Sequence, residues 1–225
     1  MRCRAVLFDL DGTLLDSLED LGSSMNAVLV SRGFPPHAID SYRLFVGDGV
    51  ETLVMRALPE SSRGDDELVR LCAEGMRMEY GKRWNDKTRP YPGITELLDH
   101  LSKAGIKKAV LSNKPHEFLE VMLKHFFPGI GFSAILGRRP EFPKKPDPAQ
   151  ALEICRITGV SPDGFLFLGD TNTDMLTARA AGMFPVGALW GFRTREELLE
   201  AGAERIIRQP VEIIPLLDCE SAKLS

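Results

Sequence analysis

The chain has 225 residues, 44% hydrophobic and 27% charged, a composition typical of globular proteins that argues against a disordered or fibrous chain. Its 28 lysines and arginines and 32 aspartates and glutamates give a net charge of −4, so we expect no broad basic surface for nucleic acid or an anionic membrane. No stretch approaches the ~20 apolar residues of a membrane span.

The first residues and the cysteines predict a cytoplasmic protein. The first apolar run is interrupted by Asp9 and Asp11, whereas a secretory signal peptide needs an unbroken one. The cysteines lie too far apart in sequence to suggest a zinc knuckle or a redox dithiol, and free thiols are typical of a reducing compartment. They are Cys3, Cys72, Cys155 and Cys219.

Five short apolar runs predict strands that are buried on both faces, because their apolar residues occupy successive positions. The runs are Ala5–Leu10, Lys108–Leu111, Ser133–Leu136, Phe165–Leu168 and Phe184–Leu189. Helical patterns lie between them at 96–101, 149–157 and 175–181. This alternation predicts an α/β fold, with a Rossmann-like parallel sheet and helices on both of its faces.

Residues 16–85 interrupt the alternation, because they contain helical patterns and no clear strand. Ser17-Leu18-Glu19-Asp20 resembles a capping box that opens a helix through Val30, and further helical patterns cover 49–58 and 65–84. We therefore predict a sheet domain formed by residues 1–15 and 86–225, and an α-helical domain inserted at 16–85.

Two acidic residues lie at the end of the first predicted strand, in the sequence Asp9-Leu10-Asp11-Gly12-Thr13. Ligands of open parallel sheets bind beyond the carboxyl ends of the strands, and a turn at Gly12 would let both carboxylates reach one site. Asp-Gly is also a common solvated turn. A calcium loop of the EF-hand type is excluded, because its glycine and its final glutamate are missing from the required positions.

Three further polar clusters lie where later strands would end. Ser112-Asn113-Lys114-Pro115 offers a hydroxyl for a phosphoryl oxygen, or a simple turn. Lys144-Lys145-Pro146 offers a fixed cation for a phosphoryl group, or an exposed basic loop. Asp170 and Asp174 suit a hard cation such as magnesium, or a helix N-cap with an acid in its first turn.

In this order, the motifs resemble those of the haloacid dehalogenase superfamily, in particular its aspartate-nucleophile phosphatases. The matching positions are Asp9-x-Asp11-Gly12-Thr13, Ser112, Lys145-Pro146 and Gly169-Asp170-x-x-x-Asp174. The helical insertion lies where that superfamily has its cap. Segments such as Val46-Gly47-Asp48-Gly49 and Trp190-Gly191-Phe192 are similar to those of phosphoglycolate phosphatases.

The resemblance implies a phosphatase that works through an aspartyl-phosphate. Asp9 would be the nucleophile, and Asp11 would protonate the leaving oxygen and then deprotonate water. Ser112 and Lys145 would hold the phosphoryl oxygens. Lys144 is the alternative for the lysine role, although Lys145 directly precedes the proline as in the family pattern.

A magnesium cofactor is also implied by the resemblance. Its ligands would be Asp9, Asp170 and the backbone carbonyl of Asp11. Asp174 would either orient Lys145 or belong to the outer shell of the metal.

The implied substrate is a small phosphorylated metabolite, with 2-phosphoglycolate the first to test, bound by a monomer or a homodimer. The candidate substrate contacts are Gly12, Thr13, Asn113, Gly47, Gly49 and Arg56. Arg43 and Arg56 would be counter-ions for a carboxylate, or ordinary solvated helix residues.

Enzymes with the same core are the alternatives, namely a pyrophosphatase or a phosphosugar mutase that resembles β-phosphoglucomutase, because a fold does not define a substrate. A binding or regulatory module without turnover is a further alternative. It would have no chemical need for Asp9, Asp11 and Asp170 together.

Overall fold

The computed structural model describes residues 3–217. The strands are β1 (Ala5–Phe8), β2 (Leu15–Asp16), β3 (Arg89–Pro90), β4 (Lys107–Pro115), β5 (Ala134–Arg138), β6 (Phe165–Gly169), β7 (Phe184–Ala188) and β8 (Arg205–Ile207). The helices are α1 (Leu18–Ser31), α2 (Tyr42–Phe45), α3 (Val50–Ala57), α4 (Asp66–Arg83), α5 (Ile94–Lys103), α6 (His116–Phe126), α7 (Ala149–Thr158), α8 (Asn172–Ala181), α9 (Arg195–Glu200) and α10 (Ile214–Leu217).

The main sheet has six parallel strands in the order β5-β4-β1-β6-β7-β8, which confirms the predicted α/β class. β1 lies between β4 and β6, so that Phe8 is in register with Val110 on one side and with Leu168 on the other. The chain adds strands first on one side of β1 and then on the other. Such a switch point places a ligand crevice beyond the carboxyl ends of β1 and its neighbours.

Both faces of the main sheet are covered, which explains why its strands are continuous apolar runs. In β1, Val6 and Phe8 belong to one apolar layer, and Ala5 and Leu7 belong to the other. The first layer includes residues of α5 and α6, and the second includes residues of α7 and α8. Each large side chain fully buried in this way contributes about 1.5–3 kcal/mol to the free energy of unfolding.

The helices α1 to α4 form a helical unit, called the cap below, in which α1 and α3 both pack against α4. β2 and β3 pair antiparallel, with Leu15 opposite Pro90 and Asp16 opposite Arg89. The chain therefore leaves the sheet domain and returns to it through two adjacent segments. The division at residues 16 and 85 stays a prediction.

The predicted capping box at the start of α1 is wrong. Ser17 is the N-cap residue, but its hydroxyl donates to Asp11 Oδ1 at 2.6 Å and makes no cap hydrogen bond. The buried carboxylate of Asp20 accepts hydrogen bonds from the Thr88 amide at 2.8 Å and the Thr88 hydroxyl at 2.7 Å. These residues join α1 to the sheet domain and to the returning segment, a use that local spacing does not reveal.

The cysteines in the described part of the chain are buried and free, namely Cys3, Cys72 and Cys155. Cys219 lies outside the described residues. Within residues 3–217, every helix is too short or too polar to cross a bilayer.

Candidate active site

Three carboxylates meet beyond the carboxyl ends of β1 and β6. Asp9 directly follows β1, Asp170 directly follows β6, and Asp174 lies in the first turn of α8. All three are buried, and one oxygen from each lies within 4.8 Å of the others. Neighbouring parallel strands thus bring together acids that are far apart in sequence.

Asp170 is held by donors from two distant loops. Its Oδ1 accepts from the Thr13 hydroxyl at 2.8 Å, and its Oδ2 accepts from the Phe192 amide at 2.9 Å. Gly12 makes this approach possible, because a Cβ atom there would lie 2.2 Å from Asp170 Oδ2 and the residue has a φ of +89°. The turn after β1 therefore requires glycine.

Lys145 joins the other two acids. Its buried ammonium lies 2.5 Å from Asp174 Oδ1 and 2.9 Å from Asp9 Oδ1, and it also donates to the Leu111 carbonyl at 3.1 Å. The second oxygen of Asp174 accepts from the amide and the hydroxyl of Thr171, which forms the N-terminal capping box of α8. Asp174 thus serves both as a helix cap and as the partner that fixes Lys145.

The charges of this cluster are unbalanced. Three buried carboxylates face one buried lysine, and buried carboxylates are costly unless opposite charges compensate them. Burial raises the pKa of Asp9 to about 7, with Lys145 opposing the shift and Asp174 adding to it. Burial, followed by repulsion from Asp174 and Asp9, raises the pKa of Asp170 well above its ordinary value.

The donor set fits a hard divalent cation. Lys145 contacts Asp9 Oδ1 as an ion pair, yet among the described residues no hydrogen-bond donor is well directed at this buried oxygen. Carboxylate oxygens are the ligands that Mg²⁺ and Ca²⁺ prefer. A dication bound by these carboxylates would balance the two excess negative charges of the cluster.

Asp11 lies outside the acidic cluster and has different partners. Lys114 Nζ donates to both of its carboxylate oxygens at 3.0 Å, in addition to the bond from Ser17. The Lys114 side chain is only 4% exposed, and its ammonium lies 4.2 Å from the centroid of the Tyr80 ring. Sequence reasoning gave Lys114 no role. The available signal was strand periodicity, since residues 112 and 114 share a face if the strand continues through its polar end.

A cavity of about 610 Å³, its open mouth included, separates the cap from the carboxyl end of the sheet. Its sheet side includes Asp9, Asp11 and Ser112. The Ser112 Oγ accepts from the Lys114 amide at 3.3 Å, which leaves its proton for a ligand. Much of the opposite side is apolar and comes mainly from cap helices, with Leu53, Met76 and Tyr80 among its residues.

Two of the predicted substrate contacts line this cavity through the backbone of the cap. Gly47 and Gly49 lie in the loop before α3, with φ values of +124° and +90°. Asn113 also lines the cavity, but its side chain is fully used. It donates to the Gly47 and Lys145 carbonyls and accepts from the Lys145 amide at 2.8 Å. The Asn113 side chain therefore positions Lys145 and the cap loop, and its contact with substrate stays a prediction.

Gly12 and Thr13, which were also predicted to contact the substrate, have partners within the protein instead. Neither is among the cavity-lining residues, because the Thr13 hydroxyl is bound to Asp170 and the Gly12 amide donates to the Leu15 carbonyl at 2.9 Å. They shape the acidic cluster and do not contact the space above it.

The two arginines considered as carboxylate counter-ions have other partners in this structure. Arg56 lies 2.6 Å from Asp48 Oδ2 and donates to the Phe45 carbonyl at 3.2 Å, away from the cavity. Arg43 binds Asp40 and the Gly191 carbonyl. Lys144 is exposed and donates to the Asp48 carbonyl at 2.8 Å, so it has no contact with the acidic cluster.

Comparison with known proteins agrees with this architecture. The family described as haloacid dehalogenase-like hydrolase matches residues 6–188. Phosphoglycolate phosphatase 1 of Pseudomonas aeruginosa is 34% identical over 217 residues, covering 96% of this chain and 80% of the relative. The phosphoglycolate phosphatase of Pseudomonas fluorescens is 35% identical, with coverage of 94% and 79%.

A similar solved structure, a predicted phosphoglycolate phosphatase from Haemophilus somnus, superimposes with a TM-score of 0.88 at 27% identity, covering 96% of this chain and 98% of that one. The chain therefore belongs to the haloacid dehalogenase-like hydrolase family. Within this family it is a phosphoric monoester hydrolase, and the resemblance noted in the sequence is confirmed.

Proposed function

We propose that this phosphatase depends on magnesium and hydrolyses a small phosphate monoester, 2-phosphoglycolate being the first to test, through an aspartyl-phosphate on Asp9. The observation that carries the proposal is Asp9 itself. It is buried at the base of the cavity, beside Lys145, with an oxygen at which no described donor is well directed. Relatives named phosphoglycolate phosphatase support the choice of substrate.

Asp9 and Asp170 would hold the magnesium ion, together with the Asp11 backbone carbonyl. Both oxygens of Asp174 already have strong partners, so we assign it chiefly to fixing Lys145. When bound, the ion supplies the positive charge that lets an anionic carboxylate approach an anionic phosphate.

In the first step, an Asp9 oxygen attacks phosphorus and the bond from phosphorus to the ester oxygen breaks. Asp11, two residues along the same turn and also lining the cavity, donates a proton to the leaving oxygen. In the second step, Asp11 takes a proton from water while the water oxygen attacks phosphorus. The bond to Asp9 then breaks, which releases inorganic phosphate and restores both carboxyl groups.

Ser112 would hold a phosphoryl oxygen during both steps, and Lys145, whose ammonium already contacts Asp9, Asp174 and the Leu111 carbonyl, would stabilise the phosphoryl charge from below. Ser112 has its proton available, and Lys145 is a buried cation fixed in place beside the nucleophile. A buried, preorganised cation stabilises developing charge more strongly than a solvated one. Residues 16–85 would act as the cap that covers the substrate and excludes competing water.

The test is hydrolysis of p-nitrophenyl phosphate and of 2-phosphoglycolate with Mg²⁺ and with EDTA, together with intact-protein mass spectrometry after an acid quench. We expect turnover only with Mg²⁺, and a protein heavier by one phosphoryl group. Asp9→Asn should abolish turnover and the mass increase, while Asp11→Asn should keep metal binding and slow release of the phosphoryl group. Turnover that persists in Asp9→Asn would remove the nucleophile assignment.

A further inference from the structure

The cavity is lined by two cationic side chains that the proposed chemistry does not use. Once Arg43 and Arg56 are excluded, the cations among the described residues that line the cavity are Lys114 and Arg77. Lys145 is occupied by Asp9 and Asp174. A substrate with a second anionic group therefore has two possible partners.

Lys114 and Arg77 differ in their surroundings. The Arg77 side chain is 49% exposed and its nearest acid, Glu51, is 3.5 Å away, so water screens its charge. The Lys114 side chain is 4% exposed, stands over the Tyr80 ring, and projects from the same strand as Ser112. A charge in a dry, rigid environment acts on a ligand more strongly than one in water.

We propose that Lys114 recognises a carboxylate on the organic part of the substrate, and that it gives up its contact with Asp11 when it does so. The inference rests on the proposed phosphatase function and adds the residue that selects the substrate. Lys114 then takes the role of carboxylate counter-ion that the sequence analysis considered for Arg43 and Arg56.

The contact between Lys114 and Asp11 explains why a carboxylate matters. Lys114 donates to both Asp11 oxygens, and Ser17 donates to one of them, so the acid–base group is held in an ion pair when no substrate is bound. A substrate carboxylate offers the ammonium an equivalent acceptor. It thereby releases Asp11, which takes a proton from water and can then pass it to the leaving oxygen, whereas a neutral substrate leaves Asp11 paired.

The test compares two substrates that differ only in this group: 2-phosphoglycolate, and 2-hydroxyethyl phosphate, in which an alcohol replaces the carboxylate. The measured quantity is the ratio of their kcat/KM values. We expect the wild type to favour 2-phosphoglycolate by at least ~10-fold, the effect of one charged hydrogen bond. Lys114→Met should bring the ratio close to one, and Lys114→Arg should restore part of it.

Arg77→Met is the matched control, because it removes the other cavity cation and should leave the ratio unchanged. If Lys114 only positions Asp11, Lys114→Met will slow both substrates equally and the ratio will persist, which overturns the proposal. Collapse of the ratio in Arg77→Met alone would overturn it too. Circular dichroism checks folding, and Lys114→Gln, which keeps a neutral donor to Asp11, replaces Lys114→Met if that variant does not fold.

The wild-type results separate this inference from the proposed function. Equal kcat/KM values for the two substrates would leave the phosphatase standing and would overturn the role of Lys114. Absence of Mg²⁺-dependent hydrolysis of p-nitrophenyl phosphate and of both test substrates by folded protein would overturn the proposed function, and with it the inference.

Discussion

The two sides of the cavity are built in contrasting ways. The sheet side rests on Asp9, Asp170 and Lys145, which are buried and fixed by partners that are distant in sequence. The cap side presents aliphatic and aromatic side chains, and its arginine is half exposed. Phosphoryl chemistry needs fixed charges, whereas an apolar wall tolerates many organic groups. The contrast supports the proposed division of labour, in which the sheet domain carries out catalysis and the boundary with the cap selects the substrate.

Hydrogen bonds also join the cap to the sheet domain. The Thr173 hydroxyl donates to Asp48 Oδ1 at 2.7 Å, and Arg193 donates to the carbonyls of Arg43 and Val46. These hydrogen bonds are polar, whereas aromatic pairs such as Tyr80–Phe118 and Trp84–Phe126 join the two parts through apolar contact. Asp48 is only half-buried, so water can replace its bond from Thr173 at small cost, and we expect a substitution there to have a smaller effect than those in the acidic cluster.

The largest effect is expected from Lys145→Ala. It leaves Asp9 and Asp174 buried without their cation, and removing one partner of a buried pair costs about 3–5 kcal/mol. Loss of a preorganised charge at the reacting group should lower kcat by on the order of 10²–10³. Urea unfolding and steady-state kinetics measure the two losses.

Lys144→Ala is the matched control, since it removes the neighbouring lysine, which is exposed and bound to the Asp48 carbonyl. Its kcat should stay near that of the wild type, with a change in unfolding free energy within about 0.5 kcal/mol. Equal losses in the two variants would contradict the assignment of Lys145.

An intermediate effect is expected from Gly12→Ala. The new Cβ would lie 2.2 Å from Asp170 Oδ2, so the carboxylate must shift. We expect Mg²⁺ affinity to fall about 10- to 100-fold, as when outer partners of a metal ligand are disturbed. Titration of activity with Mg²⁺ measures the loss of Mg²⁺ affinity.

Gly33→Ala separates this displacement from backbone strain. Gly33 has a φ of +78°, but a Cβ there meets nothing within 4 Å. Gly33→Ala should therefore lower the free energy of unfolding by about 1–2 kcal/mol, the cost of a left-handed backbone at alanine, and should leave the Mg²⁺ dependence unchanged. A similar loss of Mg²⁺ affinity in both variants would show that Asp170 is not displaced by the new side chain.

The sheet domain was readable from the sequence because its strands are buried on both faces. The run at 165–168 became β6 (Phe165–Gly169), and the run at 184–189 became β7 (Phe184–Ala188). β4 is longer than predicted because its polar end, from Ser112 to Pro115, continues the strand into the site. β8 was missed because three residues are too few for a pattern.

Partners within the site were harder to predict, because spacing does not reveal contacts between distant residues. Thr13 and Asn113 carry the right chemistry for a phosphate ligand, but their side chains are bound to Asp170 and Lys145. Arg56 carries the right charge for a carboxylate, yet Asp48 of its own cap neutralises it. The sequence motifs located the acids and Lys145, whereas Lys114, a buried cation that lines the cavity, emerged only from the fold.

The smallest effect is expected at the contact between cap and sheet domain, from Asp48→Asn. Burial would raise the pKa of Asp48, but hydrogen bonds from Thr173 and Arg56 outweigh it and hold this pKa below its ordinary value. The ionised carboxylate therefore stabilises the fold. This contribution is fully present above the unfolded pKa, roughly 4, and is lost as the pH falls through the folded pKa.

At neutral pH, Asp48→Asn should cost about 1 kcal/mol of unfolding free energy, because the Arg56 side chain is 37% exposed and water screens part of its charge. The difference from the wild type should shrink as acid protonates Asp48 in the folded protein. Glu67→Gln, which breaks an exposed pair with Arg70 on α4, is the control. Arg70 also lowers the pKa of Glu67, but water screens this pair, so the same pH dependence should be much smaller. A cost for Asp48→Asn that is the same at every pH would mean that its shape, and not its charge, joins the cap to the sheet domain.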